Sequence, residues 1–320
     1  LDNLIMSNTI SFRQKIEFYC VNCDCSSPLE VASTKFSDYT YQCSCCQKVY
    51  REVDGIPCFL SSKDETSEIF QKYFDNYSKI ASDDIVEDIM PVTYKNIQAD
   101  KLIKYCGAKI QQNILDIGSG KGFFLKRISH NQKLGIDISL EYLKVLRNQG
   151  VECALVNAES LPFKKCFDVI VLNDILEHVF NPEKVLQQVF KALKDEGIAV
   201  IRVPYKEDIS IYLPENGCKY EFVHLRTFDK SNLTQLVQNS GLKLNKIHYD
   251  GFAWSRLRRN INNPLVRWAI KKIDEYVNRE IYIKGRNIID IDAGFNQLPN
   301  YLGCIFFEPI ECVAIAQKTK

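Results

Sequence analysis

From residue 112 onward, short apolar runs alternate with stretches of helical periodicity, and no other feature of this 320-residue chain limits its fold as tightly. Asn113-Ile-Leu-Asp-Ile117 reads as a buried strand, Lys133–Asp137 as a second, Ala154–Asn157 as a third, Phe167–Asn173 as a fourth and Gly197–Val203 as a fifth. Between them fall an amphipathic helix carrying Phe123, Phe124, Leu125 and Ile128, another through Leu140, Leu143, Val145 and Leu146, and a third from Pro182 to Leu193. Strands at Leu244–Tyr249 and Cys312–Gln317 close the chain. Strand–helix alternation of this length predicts a parallel, doubly wound α/β sheet. Ligands of such sheets bind beyond the carboxyl ends of the strands, where the strand order reverses.

The first strand runs into Asp116-Ile-Gly118-Ser-Gly120-Lys-Gly122. A phosphate-binding P-loop needs G-x-x-x-x-G-K-[ST], but Gly122 follows Lys121 and the first glycine is missing. A dinucleotide fingerprint puts its third glycine at position 123, which is Phe. An acidic residue ahead of the glycines, with Asp137 ending the next strand, instead resembles motif I and the following acidic residue of class I S-adenosylmethionine methyltransferases. The resemblance covers roughly residues 68–250 and reappears in the last strand. It implies a Rossmann-like, seven-stranded sheet and a cofactor site. Gly118 and Gly120 let the backbone approach the amino-acid portion, Asp116 helps hold the ammonium, and Asp137 accepts from both ribose hydroxyls. Asn157-Ala158-Glu159-Ser-Leu-Pro-Phe163 resembles the family's D-A-x-x-L-P-F segment beside the adenine, with Asn157 in place of the customary Asp. Asn173, ending the fourth strand, belongs to the same expected set.

Thirteen cysteines are many for such a chain, and six of them fall within residues 20–46. Cys20-Val-Asn-Cys23 and Cys43-Ser-Cys-Cys46 are two C-x-x-C knuckles at the separation of a four-thiolate zinc site. Such a site leaves no open position, so the zinc is expected to be structural. So short a segment buries little apolar surface, so the metal is expected to supply its folding energy. Cys25 and Cys45 read as spare thiols able to replace a neighbour. The continuation to Leu60 resembles the ending of small zinc ribbons fused to, or partnered with, class I methyltransferases, although no Pro follows Tyr50. The expected organisation is a zinc ribbon over 1–60, a helical linker and cofactor lid over 61–110, and a methyltransferase domain over 111–320 with insertions at 205–228 and 253–303. In the linker, Ile69, Phe70, Tyr73, Phe74 and Tyr77 mark a packing face, and Asp83, Asp84, Glu87 and Asp88 a solvated one.

Forty-one basic residues against forty acidic ones exclude a polycation that grips nucleic acid non-specifically. With 46% apolar and 25% charged residues the composition is that of a globular chain. No apolar stretch reaches the length of a membrane span, and residues 1–10 lack the layout of a secretory leader, so a cytoplasmic location is expected.

After the fourth strand comes Asn173-Asp-Ile-Leu-Glu177-His178. Asp174, Glu177 and His178 resemble the [ED]-x-x-E-H run of quinone-biosynthesis O-methyltransferases, which implies a divalent cation held by these three beside the acceptor. Alternatively His178 acts alone as a general base, or the run caps and packs the crevice. His224-Leu-Arg-Thr-Phe228, in the 205–228 insertion with Tyr212, Tyr220 and Phe222, resembles a segment that lines acceptor pockets, and makes His224 the second base candidate. In the later insertion, residues 256–286 carry nine Lys/Arg against three Asp/Glu, while Trp254 and Trp268 suit core anchors. These readings converge on an S-adenosylmethionine-dependent methyltransferase acting on oxygen of a small polar acceptor such as a sugar, a phenol or a natural-product intermediate. The main rival is an RNA base methyltransferase that grips RNA through the ribbon and the basic segment, and the other is an inactive, methyltransferase-like interaction module. A [DN]-P-P-[YF] tetrad, which would hold a planar nitrogen acceptor, is absent after the fourth strand.

Overall fold

A computed structural model describes residues 15–33, 39–83, 92–130, 132–253, 263–266, 268–269 and 308–320. The N-terminal part contributes strands β1 (Glu30–Ser33), β2 (Tyr39–Gln42), β3 (Val49–Val53) and β4 (Ile56–Phe59), then helices α1 (Ser62–Thr66), α2 (Glu68–Ser82) and α3 (Val92–Cys106). The remainder runs β5 (Ile114–Ile117), β6 (Lys133–Asp137), α4 (Leu140–Asn148), β7 (Glu152–Val156), β8 (Phe167–Asn173), α5 (Pro182–Ala192), β9 (Leu193–Pro204), α6 (Lys230–Asn239), β10 (Lys243–Ala253) and β11 (Glu308–Gln317).

Strands β5 to β9 run parallel because each return passes across a face of the sheet. All four residues of β5 and the centre of β8 are buried, as strands covered on both faces must be. The order β7-β6-β5-β8-β9-β11-β10 gives the expected seven-stranded sheet, with β11 antiparallel between β9 and β10. The chain builds outward from β5 through β6 to β7, then returns to the other side of β5 as β8. The order therefore reverses between β5 and β8, and a crevice opens above their carboxyl ends.

Two expectations need correction. The glycine loop does not lead into a helix: only a 3-10 turn, Leu125–Arg127, separates it from β6. Positive φ at Gly118, Gly120 and Gly122 keeps the chain out of helical geometry until few residues remain before Lys133. The ribbon, moreover, is continuous with the sheet. β4 pairs with β3 through Ile56 and Pro57, and its second half pairs in parallel with β7, Cys58 opposite Leu155 and Phe59 opposite Val156. This makes eleven strands among the described residues. The β3–β4 hairpin turns on Asp54 and Gly55, both at positive φ, the requirement of a tight primed turn. Helix α4 clasps that turn from the other side: Lys144 Nζ lies 2.8 Å from Asp54 Oδ2, and Arg147 donates to Gly55 O.

The core is shared accordingly. Phe18 stacks on Phe59 with ring centroids 4.7 Å apart, Tyr41 and Tyr50 close around Phe59, and Phe163 links Phe18 to Phe167 of β8. Apolar burial against the large sheet thus contributes to holding the ribbon, which does not depend on a metal alone. Asp83 also departs from its expected solvated role, accepting from Tyr220 Oη at 2.6 Å and Lys219 Nζ at 3.2 Å. Asp84, Glu87 and Asp88 lie outside the described residues.

A shared core makes a specific demand on unfolding. Replacing fully buried Phe59 with Ala should cost about 3–5 kcal/mol. Urea denaturation followed by far-UV circular dichroism and by reactivity of the ribbon thiols should show one transition moved to lower urea for both signals. Two separate transitions would mark the ribbon as an independent unit.

Candidate active site and cysteine cluster

The crevice at the strand-order reversal is a cavity of about 770 Å³, within the usual range for small-molecule sites. It is lined by every residue expected at a cofactor or catalytic site: Asp116, Gly118, Gly120, Asp137, Asn157, Ala158, Glu159, Asn173, His178 and His224. Residues from 70 to 311 of the sequence meet there because the strand ends open onto one place.

At one end lies the glycine loop. Gly118 N and Ser119 N both donate to Ile136 O, which folds the loop back over β6. A Cβ at Gly118 would stand 1.7 Å from Ile175 Cδ1, so only glycine brings the loop this close to the segment after β8. Around Gly120, by contrast, nothing lies within 4 Å of a Cβ position, and that side is open space. Asp137 Oδ2 accepts from Gly120 N at 2.8 Å and Oδ1 from Ser139 N at 2.9 Å. Each oxygen keeps a lone pair for a further donor. Burial pushes the Asp137 carboxyl up, against the pull of those N–H groups. Asp116 is pushed well up by burial and by the charge of Asp137.

The 157–163 loop forms the next wall. Asn157 Oδ1 accepts from Glu159 N at 3.0 Å, and Asn157 Nδ2 donates to Asp64 Oδ1 at 2.8 Å. Glu159 Oε1 accepts from Asn181 N at 2.9 Å, so part of its carboxylate serves the start of α5. Asn173 Oδ1 accepts from Arg202 Nη1 at 3.1 Å.

Arg202 is a buried cation near the carboxyl end of β9. It donates through Nε to Glu311 Oε2 at 2.8 Å and pairs through Nη1 with Asp174. This corrects the expected cation set: Asp174 is held by Arg202, and the atoms that converge within 4.8 Å belong to Glu177, His178 and His224. Glu177 is 1% exposed, and neither carboxylate oxygen has a hydrogen-bond partner among the described residues. Burial, then the charge of Asp174, pushes its carboxyl well above the ordinary range.

The two histidines differ in what surrounds them. His178 Nδ1 meets Val223 O and lies 2.8 Å from Tyr77 Oη, which also donates to Phe222 O at 3.0 Å. Burial and the neighbouring His224 bring its pKa down to about 3, so the ring is neutral. His224 Nδ1 is paired with Glu207, whose other oxygen accepts from Tyr212 Oη at 2.8 Å. The Tyr212 ring lies 4.4 Å from the His224 ring. Arg226 ties the two segments together, donating to Leu176 O at 2.8 Å and to Phe180 O at 3.0 Å.

The cysteine knuckles stand apart from this cavity. The sulfur atoms of Cys20, Cys23, Cys43 and Cys46 all lie within 4.8 Å of one another, with Cys20–Cys46 at 3.6 Å and Cys23–Cys43 at 3.7 Å. Sulfurs about 2.3 Å from a tetrahedral zinc stand roughly 3.8 Å apart, so the cluster has the right dimensions for one. Asn22 N also donates to Cys20 Sγ at 3.4 Å. Cys25 and Cys45 are not spare thiols: they form a disulfide with each other.

Sequence reasoning missed several members of the site. Tyr77 belonged to a face read as packing only, and Glu207 sits in a loop with no motif. Arg202 left a visible signal, a single charge inside Val200-Ile-Arg-Val203. The basic 256–286 segment lies outside the described residues except for 263–266 and 268–269; there Trp268 is 61% exposed and anchors no core.

Comparison with known proteins gives the following. A family described as "Methyltransferase domain" matches residues 69–247. An uncharacterized protein of Methanocaldococcus jannaschii is 31% identical over 176 residues, covering 51% of this chain and 68% of that protein. The ubiquinone/menaquinone biosynthesis C-methyltransferase UbiE of Ruegeria sp. is 29% identical over 135 residues, covering 38% of this chain and 54% of its own. Across the curated relatives the chain spans as little as 43% of the matched protein's length. Among solved structures, an S-adenosylmethionine-dependent methyltransferase of Thermotoga maritima, titled a possible histamine N-methyltransferase, aligns with a TM-score of 0.49 at 15% identity. That alignment covers 78% of this chain and all of that one. Among the described residues, no helix is long and apolar enough to cross a membrane.

The neutral His178 has a consequence for stability. The unfolded chain takes up this proton near the ordinary value of 6.5, whereas the folded ring resists it down to about 3. The unfolded state therefore binds more protons between those values, and His178 erodes stability as pH falls below about 6.5. His178→Asn, which keeps a donor near Val223 O, should flatten the fall of the unfolding free energy measured by urea denaturation between pH 6.5 and 4.5, by up to about 1 kcal/mol per pH unit. Equal slopes for both proteins would place an ordinary, titrating imidazole at this position.

Proposed function

The chain belongs to the methyltransferase-domain family and is an S-adenosylmethionine-dependent methyltransferase; from that premise we propose that its acceptor is a hydroxyl of a small polar molecule, deprotonated by His224. The observation that carries this reading is the pairing of His224 Nδ1 with Glu207, in the same cavity as the glycine loop and Asp137. A carboxylate on one ring nitrogen fixes the tautomer, leaves Nε2 as the basic atom, and stabilises the imidazolium once the proton arrives.

The cofactor end is assigned as follows. Gly118 and Gly120 admit the amino-acid portion, Asp116 faces its ammonium, Asp137 accepts from the ribose hydroxyls, and Asn157 with Ala158 borders the adenine. Glu159 and Asn173 complete the cofactor lining, Glu159 Oε1 accepting from Asn181 N and Asn173 Oδ1 from Arg202. When bound, the cofactor supplies an electrophilic methyl group on a sulfonium. The protein's part is alignment and proton removal. Holding the reactants in line is worth up to about 7–11 kcal/mol. Glu177 offers the acceptor a buried carboxyl with no hydrogen-bond partner. His178, neutral and held by Val223 O, acts as a positioning residue and not as the base. In the ribbon, Cys20, Cys23, Cys43 and Cys46 hold a structural zinc with no open coordination position.

One observation favours a second reading. His178 Nε2 lies 3.8 Å from Glu177 Oε1, and Glu177, His178 and His224 each bring one ligand atom to within 4.8 Å of the others, a donor set that suits a divalent cation. In that case the cation, not His224, lowers the acceptor's pKa. Dialysis against a chelator that leaves the four-thiolate zinc in place would then abolish turnover, whereas the base reading predicts no change.

Labelled S-adenosylmethionine offered to a polar metabolite extract and to total RNA tests the acceptor class: label in the extract is expected, and label in RNA alone would overturn it. His224→Ala should lower kcat by 10²–10⁴ with cofactor affinity unchanged. A loss under tenfold removes the base assignment. Asp137→Ala should weaken cofactor binding in calorimetry, and unchanged affinity would sink the cofactor site.

A further inference from the structure

The one departure from the family's adenine-side pattern is Asn157 where an Asp is customary, and the structure supplies a physical reason for it. Asp64, in α1, is buried and its carboxylate is fully engaged. Oδ2 accepts from Ser61 N at 2.9 Å and from Ser61 Oγ at 2.7 Å, and Oδ1 accepts from Asn157 Nδ2 at 2.8 Å. A carboxylate at position 157 would meet that of Asp64 at hydrogen-bond distance with no proton between them. Asn157 answers both neighbours at once: its Nδ2 donates to Asp64, and its Oδ1 accepts from Glu159 N. The rest of the loop is braced from the same side. Tyr19 N donates to Pro162 O at 3.0 Å, Ser160 Oγ to Val21 O at 3.4 Å, and Lys164 Nζ to Cys25 O at 3.0 Å.

We infer that Asp64, a residue of the segment that follows the ribbon, is a positioning residue for the adenine end of the cofactor site: it fixes which way the Asn157 amide points. The inference rests on the cofactor reading above. An amide held this way keeps one lone pair on Oδ1 and one hydrogen on Nδ2 for a ligand. Adenine presents an amino donor beside a ring-nitrogen acceptor on one edge, and an amide can match both. Hypoxanthine presents the reverse, an oxygen acceptor beside an N–H. The orientation that Asp64 imposes therefore sets the preference between the two purines.

The test is a charge swap read by cofactor-product binding. Calorimetric dissociation constants for S-adenosylhomocysteine and S-inosylhomocysteine are measured for the wild type, Asn157→Asp, Asp64→Ala and the double variant Asp64→Asn/Asn157→Asp. Circular dichroism confirms the fold of each. Asn157→Asp should weaken binding of the adenosyl compound by about tenfold or more, the scale of one lost hydrogen bond with an unpaired charge. In the double variant the amide at position 64 donates to the carboxylate at position 157, which removes the clash of charges but not the lost donor, so affinity should recover by about threefold or more over Asn157→Asp without reaching the wild type. Asp64→Ala should lower the adenosyl-over-inosyl preference by about tenfold. A purely structural role would lower stability but leave that preference unchanged. The inference fails if Asn157→Asp binds like the wild type, if the swap restores nothing, or if the preference does not move in Asp64→Ala. Asp137→Ala, run alongside, separates the two levels. If it loses affinity while these variants do not, only the role of Asp64 falls; if it too binds normally, the cofactor site itself is misplaced.

Discussion

The parallel pairing of β4 with β7 is the constraint on which the other contacts depend. Only Cys58 and Phe59 form the ladder, yet it joins a cysteine-rich hairpin to a sheet whose nearest strand lies almost a hundred residues further along the chain. The strand is split in use, its first half serving β3 and its second half β7, and Pro57, which has no N–H to give, falls in the first half. Because β7 ends at Val156, the loop that begins at Asn157 leaves the sheet directly beside the ribbon. Phe59 then closes one aromatic core over both parts, and α4 grips the hairpin turn through Arg147 and Lys144. Loops normally take their shape from the strands they connect; this one also takes it from a neighbour added to the sheet edge.

The opposite wall of the cavity is organised by a single buried cation. Arg202 touches Asn173 and Asp174 at the end of β8 and Glu311 in β11, and so joins three strands. A guanidinium in the interior is tolerated only when its charge and its donors are matched, and two carboxylates meet that need. One effect is to draw Asp174 away from Glu177 and His178. Asp174 adopts positive φ, an uncommon conformation for an aspartate, and its side chain is turned to the cation. The acceptor end is thus left with a neutral imidazole, a carboxylate-paired imidazole and a carboxyl without a hydrogen bond.

Much of this was legible in the sequence because it is local. The Asp116 to Gly122 run, Asp137, the Asn157 segment, Glu177-His178 and His224 all belong to short patterns, and Asp116 to Lys121, Asp137, Asn157 to Glu159, Glu177, His178 and His224 line one cavity. The strand set was legible for the same reason, with boundaries displaced by only a few residues, although β9, β10 and β11 are longer than expected. What could not be read depends on pairing at a distance. Nothing in Ile56-Pro-Cys-Phe59 announces that it joins a parallel sheet, and Asp64 looks like a helix-capping residue, which it also is. The helix expected after Gly122 failed because apolar spacing was weighed without the backbone: three positive-φ glycines use up the residues a helix needs. Asp174 was placed with the wrong partners because sequence proximity to Glu177 says nothing of a cation arriving from β9.

The cavity's electrostatics separate the kinds of ligand that a glycine loop alone leaves open. Asp116 and Asp137 stand together at the glycine end, both with carboxyls pushed up by burial. Bringing a chain of phosphates to this end would set further negative charge against two buried carboxylates, and Gly120 N, a donor such a ligand would want, already serves Asp137. A ligand carrying an ammonium and a sulfonium reverses every one of those signs: it favours ionised carboxylates and relieves their mutual repulsion, and its ribose hydroxyls donate where a phosphate could only accept. Two acids behind a glycine turn therefore favour a cationic nucleoside, and the same sign rule explains why Arg202, buried deep in its wall, is matched by two carboxylates.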